Sequence, residues 1–160
     1  MMEMQHRKPN RLPNYDYSQN GAYFVTICTQ DRQRTLSEIV VDGFPVPKPL
    51  GMLAEQILKE LPVKYPAVYV GQYVIMPDHI HILLRIDPDS EHSLPTLGNM
   101  IGWYKYQITK RANAMFHTPG KRLLQRSYYD HVVRCQQDYD EIWTYIENNP
   151  RKWAMNHGYK

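Results

Sequence analysis

The tightest constraint on this chain lies at residues 68–76 and 79–86, two β-rich runs divided only by the joint Met76-Pro77-Asp78. Two such runs with so short a turn predict an antiparallel hairpin. Within the second run, Pro77-Asp78-His79-Ile80-His81-Ile82 alternates polar and apolar residues. Side chains alternate faces along a strand, so Ile80 and Ile82 point into a core while His79 and His81 share the other face. The chain is thereby committed to a sheet with at least one packed face.

The remaining elements follow from the same kind of pattern. Residues 22–29 are β-branched and aromatic, with Gly21 supplying the turn before them, and predict a first strand. Leu53, Ile57, Leu58 and Leu61 recur at helical spacing over 52–61, with Pro62 as the stop. Residues 42–49, with Gly43, Pro45, Pro47 and Pro49, read as an exposed loop. Leu97, Met100, Ile101, Tyr104, Ile108 and Met115 define one face of a long second helix that Pro119-Gly120 ends. Residues 128–134 predict a last strand, and 138–149 a final helix capped by Asp138 and closed by Pro150. The order β-α-β-β-α-β-α predicts an α+β fold, a ferredoxin-like antiparallel sheet with helices packed on it.

A length of 160 residues with 42% hydrophobic content supports one core, so residues 1–160 are read as one domain with 1–11 a flexible basic arm. No apolar run approaches the roughly 20 residues of a membrane span, and no export signal is indicated. The two cysteines, Cys28 and Cys135, form no CxxC pair and read as inert buried thiols in a reducing cytoplasm. The chain ends soon after Tyr159, so no second DNA-binding module is expected.

The net charge of +3 is uninformative, but its distribution is not. Residues 101–126 contain Lys105, Lys110, Arg111, Lys121, Arg122 and Arg126 and no acid, so this stretch carries +6 and the remainder is net negative by 3. Trp103, Tyr104 and Tyr106 interleave with the first of these cations. Such a mixture suits nucleic acid, cations for phosphates and ring faces for bases, or a solvated helix face over core aromatics.

The histidines at 79 and 81 lie about 7 Å apart at Cα on a rigid strand and can converge on one ion. Surface chemistry is the other reading of a lone His-x-His. A third ligand has to come from another element, and the final helix offers Tyr145 and Asn149, four residues apart on one helical face. Spacing alone leaves Tyr145 open as a packing aromatic, one of 13 tyrosines, and Asn149 open as a helix C-cap. Tyr128 and Tyr129 are adjacent on a strand, so at most one can face the histidines. Glu141, one turn before Tyr145, is either a general base or a solvated acid; His131 is either a DNA-positioning or a packing residue.

Five segments in order resemble one family: Arg11-Leu12-Pro13, Gly21-Ala22-Tyr23-Phe24-Val25-Thr26, Met76-Pro77-Asp78-His79-Ile80-His81, Arg126-Ser127-Tyr128-Tyr129-Asp130-His131 and Tyr145-Ile146-Glu147-Asn148-Asn149-Pro150. The chain resembles the REP-associated tyrosine transposases, within the single-tyrosine HUH, IS200-like insertion-sequence transposases. The resemblance implies the HUH endonuclease fold and a metal-assisted endonuclease and strand transferase acting on single-stranded DNA with a hairpin. It implies His79, His81 and Asn149 as metal positions and Tyr145 as the nucleophile that leaves a 5′-phosphotyrosine. Related enzymes often carry Gln at the position of Asn149. Oxygen-rich octahedral coordination favours Mg²⁺ or Mn²⁺ as cofactor, although two imidazoles also accept Zn²⁺. Arg11, Lys105, Lys110, Arg111, Lys121, Arg122 and Arg126 are the expected DNA contacts. A homodimer that exchanges the tyrosine helix stays open. Three other classes compete: a rolling-circle initiator or relaxase, a domesticated binder that no longer cuts, and a metal-dependent small-molecule hydrolase. The intact His79, His81, Tyr145 set opposes the second, and the cationic stretch opposes the third.

Overall fold

The computed structural model describes residues 21–40, 43–88 and 90–156. Arg11, its Arg11-Leu12-Pro13 motif, the 1–11 arm, Asp42 and Tyr159 lie outside them. The main sheet is built from β1 (Gly21–Cys28), β4 (Val68–Ile75), β5 (His79–Ile86) and β6 (Tyr129–Val132). Its order is β4-β5-β1-β6, with every neighbouring pair antiparallel. Numbered within this sheet the order is 2-3-1-4, the ferredoxin-like arrangement expected from the sequence.

Helices α1 (Pro49–Lys64) and α2 (Leu97–Phe116) cover one face; α3 (Gln136–Asn156) covers the other. Alternation on β5 assigns its residues cleanly: Ile80, Ile82, Leu84 and Ile86 pack with α1 and α2, and Leu83 joins Ile142, Ile146 and Trp153 of α3. On β1, Val25 and Ile27 belong to the first core, and Ala22 and Phe24 to the second. In β4 the register shifts between Val70 and Gln72, so Val68, Val70, Tyr73 and Ile75 all reach the first core despite the odd spacing. The sheet is packed on both sides.

Several local expectations are corrected. Residues 42–49 are not only loop: β2 (Ser37–Ile39) and β3 (Pro45–Pro47) form a two-stranded antiparallel ribbon. The bonds Val40 N to Phe44 O, 3.1 Å, and Lys48 N to Leu36 O, 2.9 Å, put residues 44, 46 and 48 on the bonding side of β3. Pro45 and Pro47 face outward, where a missing N–H costs nothing. Pro49, assigned to the loop, starts α1 at its first turn, and Pro62 lies inside that helix rather than stopping it. Pro150 likewise lies inside α3, which runs past Asn149 to Asn156. A helical proline costs about 3 kcal/mol, but Pro150 is itself buried on the stripe with Ile146, Trp153 and Ala154. Burial of that stripe carries the helix through. Asp138 sits inside the first turn of α3, its carboxylate accepting from Arg134 N at 3.3 Å and from His131 Nε2 at 3.0 Å. In α2, Thr96 caps the start, Ala112 completes the buried stripe, and His117 in a left-handed conformation ends the helix; Met115 faces out, 50% exposed. Cys28 is buried, but Cys135 is exposed in the link before α3. No helix among the described residues is long and apolar enough to cross a membrane.

The start of α1 is pinned to the β2 ribbon at Gly51, where an added Cβ would run into the carbonyl oxygen of Leu36. Helix propensity alone favours Gly51→Ala by about 1 kcal/mol. The backbone clash is expected to reverse that sign and destabilise by about 1–3 kcal/mol. Urea denaturation of the variant against wild type checks it.

Candidate active site

The strand period brings His79 and His81 to the α3 side of β5, as expected, but that side is covered. His79 is 8% exposed and His81 1%. Their Nε2 atoms lie 3.1 Å apart. Each ring is held from behind at Nδ1: His79 by Asp78 Oδ1 at 2.7 Å, His81 by Thr26 Oγ1 at 2.8 Å. Thr26 reaches His81 because the two are direct partners across β1 and β5. Asp78 also accepts from Arg32, Nε to Oδ2 and Nη2 to Oδ1, both 3.2 Å.

Electrostatics follow from burial. Burial, reinforced by His79 and Arg32 nearby, holds the His81 imidazole well below its ordinary pKa, so the ring is neutral and has a lone pair to give. Burial pushes the Asp78 carboxyl up, but the hydrogen bonds from His79 and Arg32 more than offset this and leave it below the usual carboxylate value.

Across from the strand, α3 presents Tyr145, Asn149 and Trp153, a stripe with a spacing of four. The Tyr145 ring meets His81 at 5.6 Å between centroids and Phe24 at 6.0 Å; Trp153 lies 6.2 Å from His79. Asn149 lies between them on the helix, and its Oδ1 is fully buried without a hydrogen-bond partner. It is not a C-cap, since α3 continues to Asn156. Two nitrogens bound at roughly 2.1 Å to one ion at right angles would lie about 3 Å apart. The spacing of the Nε2 pair therefore fits a divalent ion, and the orphaned Asn149 oxygen, on the same stripe of α3 as Tyr145 and Trp153, is a candidate further donor. Among the described residues no group of three His, Cys, Asp or Glu side chains could hold one.

Of the rival tyrosines, Tyr129 pairs with Thr26 and so shares the histidine face, whereas Tyr128 packs against the α1–α2 core. Glu141 is exposed and accepts from Gln137 Nε2 at 3.2 Å, which places it in solvent. His131 bonds to Asp138, tying β6 to the first turn of α3. The cationic stretch is divided. Arg111 forms a bidentate pair with Glu60 at 3.0 and 2.8 Å, and Lys105 donates to the carbonyl of Arg126 at 2.7 Å. Lys110 lies on the exposed side of α2 beside Tyr106, across the sheet from the histidines. Lys121, Arg122 and Arg126 are exposed on the loop that Gln30 N to Leu123 O and Gln125 N to Cys28 O, both 2.9 Å, tie to the site end of β1. Sequence reasoning missed Arg32, Arg34 and Lys152. Arg34 stacks on Trp153 at 5.2 Å and Lys152 lies 5.9 Å from the Tyr145 ring centre. The spacing of Lys152 from Tyr145, two helical turns, was available as a signal; the arginines had none.

The ferredoxin-like sheet thus carries a His-x-His pair on a central strand with a helix-borne tyrosine over it. The chain belongs to the IS200-like transposases, its residues 18–149 matching that family. Two Haemophilus influenzae proteins are similar. One, uncharacterised, is 28% identical with 96% of this chain and 93% of its own length covered. The other carries a provisional name as a REP-associated tyrosine transposase and is 25% identical, with 92% and 79% covered. A solved REP-associated tyrosine transposase, bound to a REP hairpin, shares the fold at TM-score 0.66 and 18% identity, over 96% of this chain and 76% of that one. Enzymes of this family are generally metal-dependent.

Thr26→Val keeps the shape of the side chain but strips the buried His81 Nδ1 of its partner. A loss of about 1–3 kcal/mol in folding stability is expected, measurable as a lower urea midpoint with unchanged slope.

Proposed function

We propose that this chain is a metal-dependent single-strand DNA endonuclease and strand transferase that works through a 5′-phosphotyrosine on Tyr145. The observation that carries the reading is the Tyr145 ring 5.6 Å from His81, whose Nε2 meets that of His79. His79, His81 and Asn149 would hold Mg²⁺ or Mn²⁺. When bound, the ion neutralises charge on a non-bridging phosphate oxygen and leaves phosphorus open to in-line attack. Tyr145 supplies the attacking oxygen: its bond to phosphorus forms as the bond to the 3′ oxygen breaks, and the departing 3′-hydroxyl takes up a proton. The ester keeps the bond energy, so a new 3′-hydroxyl can reverse the step and join a different strand. Lys152 and Arg34, beside Tyr145 and Trp153, are placed to hold the flanking phosphates. The hairpin bound by the REP-associated relative suggests that the substrate here is single-stranded DNA next to a hairpin. Tyr145 lies over the histidines of its own chain, which supports cleavage within one subunit.

Incubation with single-stranded oligonucleotides and Mg²⁺ should give a protein–DNA adduct that survives denaturation. Tyr145→Phe should abolish it while keeping DNA binding, and His79→Ala or His81→Ala should each abolish metal-dependent cleavage. Adduct peptides mapping to Tyr129 would show the wrong nucleophile has been chosen, and cleavage surviving both His variants would remove the metal site.

For DNA affinity, replacing Lys121, Arg122 and Arg126 together by Gln should lower the slope of log affinity against log salt by somewhat under one unit per lost phosphate contact. Arg111→Gln should leave that slope nearly unchanged, because Glu60 already occupies its guanidinium. Filter binding at several salt concentrations separates the two.

A further inference from the structure

The turn after β1 holds an unusual backbone. Asp31 and Arg32 are consecutive, neither is glycine, and both adopt positive φ, 57° and 53°. L residues with side chains rarely take that conformation, and such outliers persist where surrounding contacts over-determine them. Here the contact is visible. The turn delivers the Arg32 guanidinium to Asp78 in a two-point, fork-like pair at 3.2 and 3.2 Å, between residues 46 apart in sequence. The backbone on both sides is tied as well: Thr29 N donates to Asp78 O at 3.0 Å, and the single hydroxyl hydrogen of Thr29 lies between Gln33 O at 2.7 Å and that same Asp78 oxygen at 3.1 Å.

Asp78 has one further partner, His79 Nδ1 at 2.7 Å. A carboxylate only accepts, so the hydrogen of this bond is on Nδ1, and in the neutral ring the His79 lone pair is then at Nε2. That is the atom facing His81 Nε2 across 3.1 Å. His81 is held differently, by a hydroxyl that can donate or accept, so its tautomer is free to invert. With both rings neutral, the 3.1 Å contact between the two Nε2 atoms holds one hydrogen, and a divalent ion would take its place. His79 already presents its lone pair; His81 has to turn its own over.

We infer that the Arg32–Asp78 pair is a positioning device that locks His79 in the Nδ1–H tautomer with Nε2 aimed at the metal position, while Thr26 leaves His81 able to switch. The inference rests on the metal reading given under Proposed function. Arg32 acts through Asp78, and neither touches substrate. A carboxylate behind a metal-binding imidazole commonly changes metal affinity 10- to 100-fold on removal.

The test needs no DNA and no turnover. In the metal-free wild type, ¹⁵N NMR should show His79 protonated at Nδ1. Calorimetric titration with Mn²⁺ should then give a dissociation constant about 10–100-fold weaker for Asp78→Ala. Asp78→Asn, which keeps an acceptor for His79, should fall between it and wild type. Arg32→Ala should also lose affinity, and the Arg32→Ala/Asp78→Ala double variant should bind no worse than Asp78→Ala alone, because the arginine works through the carboxylate. If Asp78→Ala does not fold, the wild-type tautomer and the Asn and Arg32 variants still decide the matter. A wild-type His79 protonated at Nε2, or Mn²⁺ affinity unchanged in folded Asp78 and Arg32 variants, overturns the positioning role while leaving the metal site standing. Absence of saturable Mn²⁺ binding to the wild type overturns the metal reading itself, and the positioning role with it.

Discussion

The docking of α3 across the second face of the sheet is the contact on which the site depends. Without it, His79 and His81 would be two imidazoles on an open strand, solvated and loosely aimed. With it, Ile142, Ile146, Trp153 and Ala154 bury themselves against Phe24, Val74, Met76 and Leu83, and water leaves the space between helix and strand. The same apolar seam that holds the helix also delivers Tyr145 to His81 and Trp153 to His79, because residues spaced by four on α3 share the face that meets the histidine side of β5. Packing and chemistry use one surface.

Exclusion of water changes what polar groups there can do. In a low-dielectric setting an unmatched donor or acceptor is costly, so the buried imidazoles and Asp78 are satisfied at short range. Among the described residues Asn149 Oδ1 departs from this, buried with no donor to accept from. The neutral state of His81 belongs to the same logic, since a charged ring there would be desolvated, with Arg32 nearby adding to the cost.

Cations are arranged by layer. Those on α2 lie across the sheet from the histidines, and Arg111 is taken up by Glu60. Those at the site end arrive on loops and on α3: Arg32 and Arg34 after β1, Lys121, Arg122 and Arg126 before β6, Lys152 one turn from Asn149. A strand of DNA meeting Tyr145 would encounter this second group, and the +6 stretch is a property of sequence order more than of one surface.

Much of this could be read from the chain. The period of two in His79-Ile80-His81-Ile82 determines by itself that the imidazoles share a face, and the period of four determines that Tyr145 and Asn149 do. The ferredoxin-like order was also legible, because each long element carries its own periodicity. The prolines were misread, since Pro45, Pro47, Pro62 and Pro150 break local rules whose cost vanishes where no N–H is required or is outweighed where a buried stripe continues. Only the tertiary structure decided which elements oppose one another: that Tyr145 lies over His81 and Trp153 over His79, that Thr26 backs His81, and that Arg32 reaches Asp78 from 46 residues away. Periodicity reports which way a side chain points along its own element. It carries no information on what lies opposite, which is set by how faces from distant parts of the chain exclude water together.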